Sequence, residues 1–195
     1  MKLIGNCEKG LLFVVSAPAG TGKTTLVGML EKEYPDCVHR SISCTTREPR
    51  VDEADGIDYH FITDEQFDQY VAEDAFLESA TVFTARYGTL KSEVEKHRIA
   101  GKHVFLVIDV QGAQIVKECS DAILIFIKPP SMEELKKRLM KRHTETEVQL
   151  KCRLARSEEE INQASLYHYA FENDDLTISY QVLKSIVVAE ENRGR

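Results

Sequence analysis

The stretch from Leu11 to Thr25, L-L-F-V-V-S-A-P-A-G-T-G-K-T-T, decides the fold. Leu11 to Ser16 is a short, mostly apolar run of the length and character of a buried strand. Ala17, Pro18, Ala19, Gly20, Thr21 and Gly22 form a turn of little side-chain bulk. Lys23, Thr24 and Thr25 open a helical run that reaches Glu33. A loop of this kind lets several backbone N–H groups converge on a phosphate, and the helix N-terminus behind it adds a partial positive charge. Lys23 is placed to reach β- and γ-phosphates, and the Thr24 hydroxyl to bind Mg²⁺. Ala17 stands where the G-x-x-x-x-G-K-[ST] pattern has its first glycine, which makes that corner less permissive.

Outward from this loop, strand and helix patterns alternate. Val38 to Ser43 reads as a strand, residues 44–58 as a long charged loop, and Tyr59 to Ile62 as a short strand. Thr63 and Gln66 have capping-box spacing for a helix carrying Phe67, Tyr70 and Val71. Phe76 to Phe83 reads as strand, Leu90 to Ala100 as helix ended by Gly101, and Val104 to Asp109 as a buried strand. Gln111 to Cys119 is helical and Ala122 to Ile127 another strand. Ser131 and Glu134 cap a helix from Met132 to Arg142. Thr144 and Glu147 cap a second one that runs, with a possible break, to about Tyr169. Ala170 to Asn173 is a last short strand, and Ile178, Val182, Leu183, Ile186 and Val187 share one face of a closing helix. Such alternation predicts an α/β fold with a parallel sheet, whose ligands sit at the carboxyl ends of its strands. The loop after the first strand, Ser43 to Arg50 after the second, and Asp109 all fall there.

With 195 residues, the chain is long enough for one domain with a substantial core. Its net charge of −7 argues against a general nucleic-acid binder. The five cysteines are odd in number, with no C-x-x-C, which argues against disulfides or a zinc site and for a reducing compartment. Without an 18-residue apolar run or a basic-apolar leader, a soluble cytoplasmic protein is expected, with no membrane and no obligate protein partner.

Arg47 and Arg50 flank Glu48-Pro49. Proline favours an extended or polyproline conformation there, and three residues per turn would bring both guanidiniums to one side. Two such groups suit a dianionic phosphate; the alternative is a solvated charged loop. Lys136, Lys137, Arg138, Lys141 and Arg142, with Arg153 beyond, form a second basic cluster. Arg138 and Arg142 share a helix face, where like charges gain only from an anionic partner. The plain alternative is a solvated face with Glu134 pairing Arg138.

In order, A-P-A-G-T-G-K-T-T, S-I-S-C-T-T-R-E-P-R, G-I-D-Y-H-F, F-L-E, Y-G-T, I-D-V-Q-G, P-P-S, K-K-R-L-M-K-R and N-D-D resemble the guanylate kinase family, from residue 10 to about 188. The resemblance implies a P-loop kinase core with a parallel five-stranded sheet flanked by helices (1–43, 98–135 and 160–195), an inserted mixed α+β GMP-binding unit (44–97) and a helical lid (136–159). It implies that Arg47, Arg50, Tyr59 and Tyr87 grip the phosphate of GMP. Ser43, Glu78, Thr89 and Asp109 would read guanine, whose N1–H and N2–H₂ donors suit carboxylate acceptors. Adenine would leave those acceptors unpaired, a mismatch on the order of 10⁴. Residues 17–25 and Asn173 would hold ATP with Mg²⁺ on Thr24. Lys23, Arg47, Arg138, Arg142 and Arg153 would carry the phosphoryl transfer that makes GDP from GMP, and from dGMP its diphosphate. Two departures stand out: Val107 occupies a position where relatives often carry an acid, and Y-A-F-E precedes Asn173 in place of an apolar strand.

A catalytically silent binding module of the same fold is the alternative; the intact Gly22-Lys23-Thr24 and the lid arginines argue against it. Asp109-Val110-Gln111-Gly112 also matches the D-x-x-G of regulatory GTPases, but no N-K-x-D follows to read guanine at the loop.

Overall fold

The computed structural model describes residues 3–141 and 147–193, without the side chains of 147–149. Arg142 and Thr144 lie outside the described residues. The chain runs β1 (Leu12–Ser16), α1 (Lys23–Glu33), β2 (Val38–Arg40), β3 (Cys44–Thr45), β4 (His60–Phe61) and α2 (Asp64–Ala72). It continues through β5 (Phe76–Val82), β6 (Ala85–Leu90), α3 (Lys91–Ile99), β7 (His103–Val107), α4 (Val110–Cys119) and β8 (Ile123–Lys128). The last elements are α5 (Met132–Met140), α6 (Glu147–Asn162), a 3₁₀ turn (Gln163–Leu166), β9 (Tyr169–Glu172) and α7 (Leu176–Glu191).

Five strands form one sheet in the order β2-β7-β1-β8-β9, and every pairing is parallel. Strand side chains alternate between faces. Phe13 and Val15 therefore join Leu26 and Leu30 of α1 and Leu183 and Val187 of α7 on one side. Leu12 and Val14 join Val94 of α3 and Ala113 and Val116 of α4 on the other. With both faces covered, all five residues of β1 are buried, which is why its sequence is an apolar run and not an alternation. Each fully buried Leu, Val or Phe contributes roughly 1.5–3 kcal/mol.

A second sheet, in the order β4-β3-β6-β5, is built from the residues between β2 and α3. It is mixed, with β3 parallel to β4 and the remaining pairs antiparallel. Its small core gathers Cys44, Phe67 and Phe76. The Thr63–Gln66 capping box is present at the start of α2 in both directions.

Three expectations change. The strand expected over 38–43 ends at Arg40, where the chain leaves the central sheet, and the expected loop 44–58 opens with a strand of the second sheet, Cys44–Thr45. Strand β6 was not expected; Gly88 interrupts its apolar pattern, yet a Cβ there would lie 2.8 Å from the Phe76 ring, so packing demands the glycine. In α7 the buried face is Ser179, Tyr180, Leu183, Ile186, Val187, Glu190 and Glu191, while Ile178 and Val182 are exposed. Glu191 accepts hydrogen bonds from the Gly5 and Asn6 backbone N–H groups and lies 3.0 Å from buried His103, so polar residues close this end of the core.

Candidate active site

A cavity of about 310 Å³ opens at the carboxyl ends of the central strands, between the two sheets. On its floor is the loop after β1. Gly20 and Gly22 have φ of 87° and 96°, a region where a Cβ is strained. Ala17 has no positive φ, so the pattern's missing first glycine costs the loop nothing. Thr21 is fully buried and its hydroxyl donates to the Pro18 carbonyl. Buried Asn173 donates its side-chain N–H to the Thr21 carbonyl at 2.7 Å, so it braces the loop from behind. Ala17, Ala19, Gly20 and Gly22 line the cavity, and so do Lys23, Thr24 and Thr25 at the start of α1. Lys23 Nζ donates to the Ala17 carbonyl at 2.6 Å.

The opposite wall comes from the second sheet and its loops. Arg47 and Arg50 do converge, here on one carboxylate. Arg47 forks onto Glu53 with both terminal nitrogens, at 2.8 and 2.9 Å, and Arg50 Nη1 lies 3.6 Å from it. Burial opposes charge on both groups of the Arg47–Glu53 pair, but their hydrogen bonds prevail: Arg47 is raised and Glu53 lowered from their ordinary pKa. Arg47 Nε also donates to the Tyr87 hydroxyl at 3.3 Å, and its guanidinium sits 5.3 Å from the centre of the Tyr59 ring. Two cationic forks and two phenols therefore surround one anion position.

Deeper in, Ser43, Glu78 and Asp109 line the cavity. Glu78 is 4% exposed, and burial pushes its carboxyl up to about 7, with the nearby Asp109 charge adding to the effect. Thr89, fully buried behind it, donates its hydroxyl to Glu78 at 2.7 Å and lies 3.4 Å from the Ser43 hydroxyl. A Cβ at Gly112 would come within 2.6 Å of Glu78 Oε2, so the first turn of α4 must carry glycine where the carboxylate rests. Asp109 is the N-cap of α4, accepting from the Gly112 N–H at 3.0 Å.

Of the basic cluster, Arg153 lines the cavity. Arg138 does not; it bonds Glu134 and the Asn173 carbonyl, at 3.1 and 3.2 Å. Arg142 lies outside the described residues. Three functional-looking groups were not anticipated from the sequence: Glu53, Arg156 and Glu160. Arg156 Nη2 donates to Asp109 Oδ2 at 2.8 Å and its Nε to Glu160 at 3.0 Å. The four-residue spacing of Arg156 and Glu160 was the available signal.

Among the described residues no helix is long and apolar enough to cross a membrane. The sequence model of the guanylate kinase family matches residues 9–190. A guanylate kinase of Protochlamydia amoebophila is 49% identical over 193 residues, covering 99% of this chain and 98% of that protein. One from Clostridium perfringens is 47% identical over 194 residues, covering 99% and 89%. The crystal structure of guanylate kinase from Anaplasma phagocytophilum superimposes with a TM-score of 0.79 at 30% identity, covering 99% of this chain and 91% of that one. With a family match and close relatives that both span nearly its whole length, and with a loop and cavity built as described, the chain belongs to the guanylate kinase family.

Proposed function

We propose that the protein transfers the γ-phosphoryl group of ATP to the phosphate of GMP, and of dGMP, giving ADP and the nucleoside diphosphate. The observation that carries this reading is that one cavity is lined both by the Lys23–Thr24 loop and by Arg47, Arg50, Glu78 and Asp109. A donor phosphate site and an acceptor with a base pocket thus face each other. The acceptor phosphate is already an anion near neutral pH, so no general base is needed. The barrier is repulsion between two polyanions, and fixed cations aimed at the transferring group lower it. Arg47, Arg50, Tyr59 and Tyr87 bind and orient the acceptor phosphate; Lys23 and the loop N–H groups hold the donor.

Mg²⁺ fits the donor set, since the exposed Thr24 side chain offers a hard oxygen beside the loop, as Mg²⁺ prefers. When bound, the ion neutralises charge on the β- and γ-phosphate oxygens. Arg153, from α6, supplies positive charge on the far side of the cavity, and Arg138 and Arg142 complete a lid over residues 136–159. Residues 44–97 act as the GMP-binding unit and the remainder as the core. Lid closure excludes water and limits wasteful ATP hydrolysis. No disulfide joins any of the five cysteines, which supports a reducing, cytoplasmic setting.

The test is acceptor specificity with MgATP. GMP, AMP, UMP and dTMP are compared side by side in a coupled assay for ADP. Turnover with GMP at least ~10³-fold more efficient than with AMP is expected from the unpaired carboxylates that adenine would leave. Equal turnover with AMP, or none with GMP, would refute the assignment.

A further inference from the structure

Arg156 and Phe83 have no part in the roles given above, yet both line the cavity. Phe83 sits in the two-residue connection between β5 and β6, with φ of 56°. A bulky residue in that region costs roughly 1–2 kcal/mol. Phe83 is 55% exposed, but its ring is taken by two cations: the Arg153 and Arg156 guanidiniums lie 5.5 and 5.2 Å from the ring centre. The second sheet and α6 therefore touch across the mouth of the cavity through this aromatic tip.

Arg156 reaches further in than that contact. Its guanidinium spans Glu160 and Asp109, at 3.0 and 2.8 Å. Asp109 is thereby held at both oxygens, Oδ1 by the Gly112 N–H and Oδ2 by Arg156. Two tethers on different elements fix the plane of the carboxylate. An ionised carboxylate has about four acceptor positions, so positions remain for donors on a base.

We infer that Arg156 is a specificity-determining positioning residue: reaching in from α6, it orients the Asp109 carboxylate so that Asp109 and Glu78 together accept the ring and 2-amino N–H groups of the acceptor purine. The inference rests on the GMP reading above and names the residue that sharpens it. A carboxylate already oriented loses little freedom when the base arrives. Without Arg156 the Asp109 charge beside Glu78 loses its counter-ion. Asp109 already pushes the Glu78 carboxyl upward, so Glu78 would shift further towards its protonated form, which offers one acceptor oxygen fewer. Lysine cannot reproduce the fork that joins Glu160 to Asp109.

The experiment compares wild type, R156A, R156K and F83L. Steady-state kcat/KM is measured with GMP and with inosine monophosphate, which lacks the 2-amino group, and calorimetry gives the affinities of both without ATP. The GMP-to-IMP ratio is expected to fall at least about fivefold in R156A, the order of one hydrogen bond to a charged group, and to be only partly restored in R156K. F83L, which removes the aromatic face alone, is expected to weaken GMP and IMP together and leave their ratio intact. A ratio unchanged in R156A, with both substrates weakened equally, overturns the inference in favour of a merely structural role. A ratio that collapses as far in F83L overturns it in favour of the tip contact. If wild type discriminates in binding but does not turn over, the proposed activity fails while the Arg156 comparison still decides by calorimetry. If wild type does not bind GMP, both fail.

Discussion

The donor loop and the acceptor cradle face each other across one cavity, but they are built on different principles. The loop is made of backbone. Its glycines set the path, the Thr21–Pro18 contact closes it, and buried Asn173 braces it from behind. Its one cation, Lys23, leans on the loop's own Ala17 carbonyl. The cradle is made of charged side chains that are bonded to other charged side chains: Arg47 to Glu53, Asp109 to Arg156. On the proposed reading, a phosphate arriving at the loop meets the N-terminal end of α1. A phosphate arriving at the cradle must share or displace the Glu53 carboxylate. On that reading the loop would be a general phosphate site, while the cradle would exchange one ion pair for another, and an exchange is where selectivity can be set.

The largest effect expected from this division is on the loop's cation. Lys23→Ala should cut kcat by about 10²–10³-fold, the usual cost of removing a donor aimed at developing charge, with little change in the GMP KM. Near-full turnover in this variant would break the comparison at its donor end. Next is Arg47→Ala. Loss of a charge-assisted fork costs about 1.5–3 kcal/mol, so the GMP KM should rise roughly 10–100-fold while the ATP KM barely moves. An unchanged GMP KM would remove Arg47 from the cradle.

The same division explains what could be read from the sequence. The donor loop was legible because it is local. Six residues of turn followed by Lys23-Thr24 carry their own geometry, and α1 spans Lys23–Glu33 as expected. The central sheet was legible because burial on both faces leaves unbroken apolar runs. The cradle is assembled from distant segments. Asp109 stood out only as a carboxylate at the end of a buried strand; Glu78, and the pairing of the two, came through the resemblance to a family, since nothing in their own periodicity says that one carboxylate will rest on Gly112 beside the other. Glu53 was hidden in the acidic run D-E-A-D, where any carboxylate looks solvated. Arg156 was hidden in a helix whose charges look like surface. Strand β6 was missed for a related reason: Gly88 makes sense only once Phe76, twelve residues earlier in the chain, is seen packed on it.

A smaller effect sharpens the comparison through pH. Burial pushes Glu78 up to about 7, against an ordinary value of 4.5. Guanine donors need its ionised form, so the GMP KM should rise as pH falls below 7, by up to about tenfold per unit for one proton, while the ATP KM stays flat. The sign for stability is opposite. A carboxyl raised above its unfolded value favours the fold fully below about 4.5, and this contribution is lost as pH rises through 7. Glu78→Gln should therefore be more stable than wild type at pH 8, by an amount on the order of 1–3 kcal/mol, and nearly equal to it at pH 4. It should also lose its preference for GMP. A flat GMP KM between pH 5.5 and 8 would show that Glu78 does not read the base.

The smallest expected effect falls on the brace behind the loop. Asn173 is 5% exposed and its amide is the partner of the Thr21 carbonyl. Asn173→Ala leaves that carbonyl buried without this donor, a cost of about 1–3 kcal/mol. For a chain of this length that lowers the melting temperature by roughly 2–10 °C. The loop still has its glycines and its helix N-terminus, so the ATP KM should rise only about two- to fivefold, a loss within one hydrogen bond's worth. The GMP KM should not move, because no cradle residue depends on the Thr21 carbonyl. Asn173→Asp should be worse than alanine: it sets a carboxylate oxygen against the Thr21 carbonyl and adds negative charge under a site for phosphates. If alanine raised the GMP KM as much as the ATP KM, the backbone-built and side-chain-built halves would be one coupled site, and the distinction between them would fall.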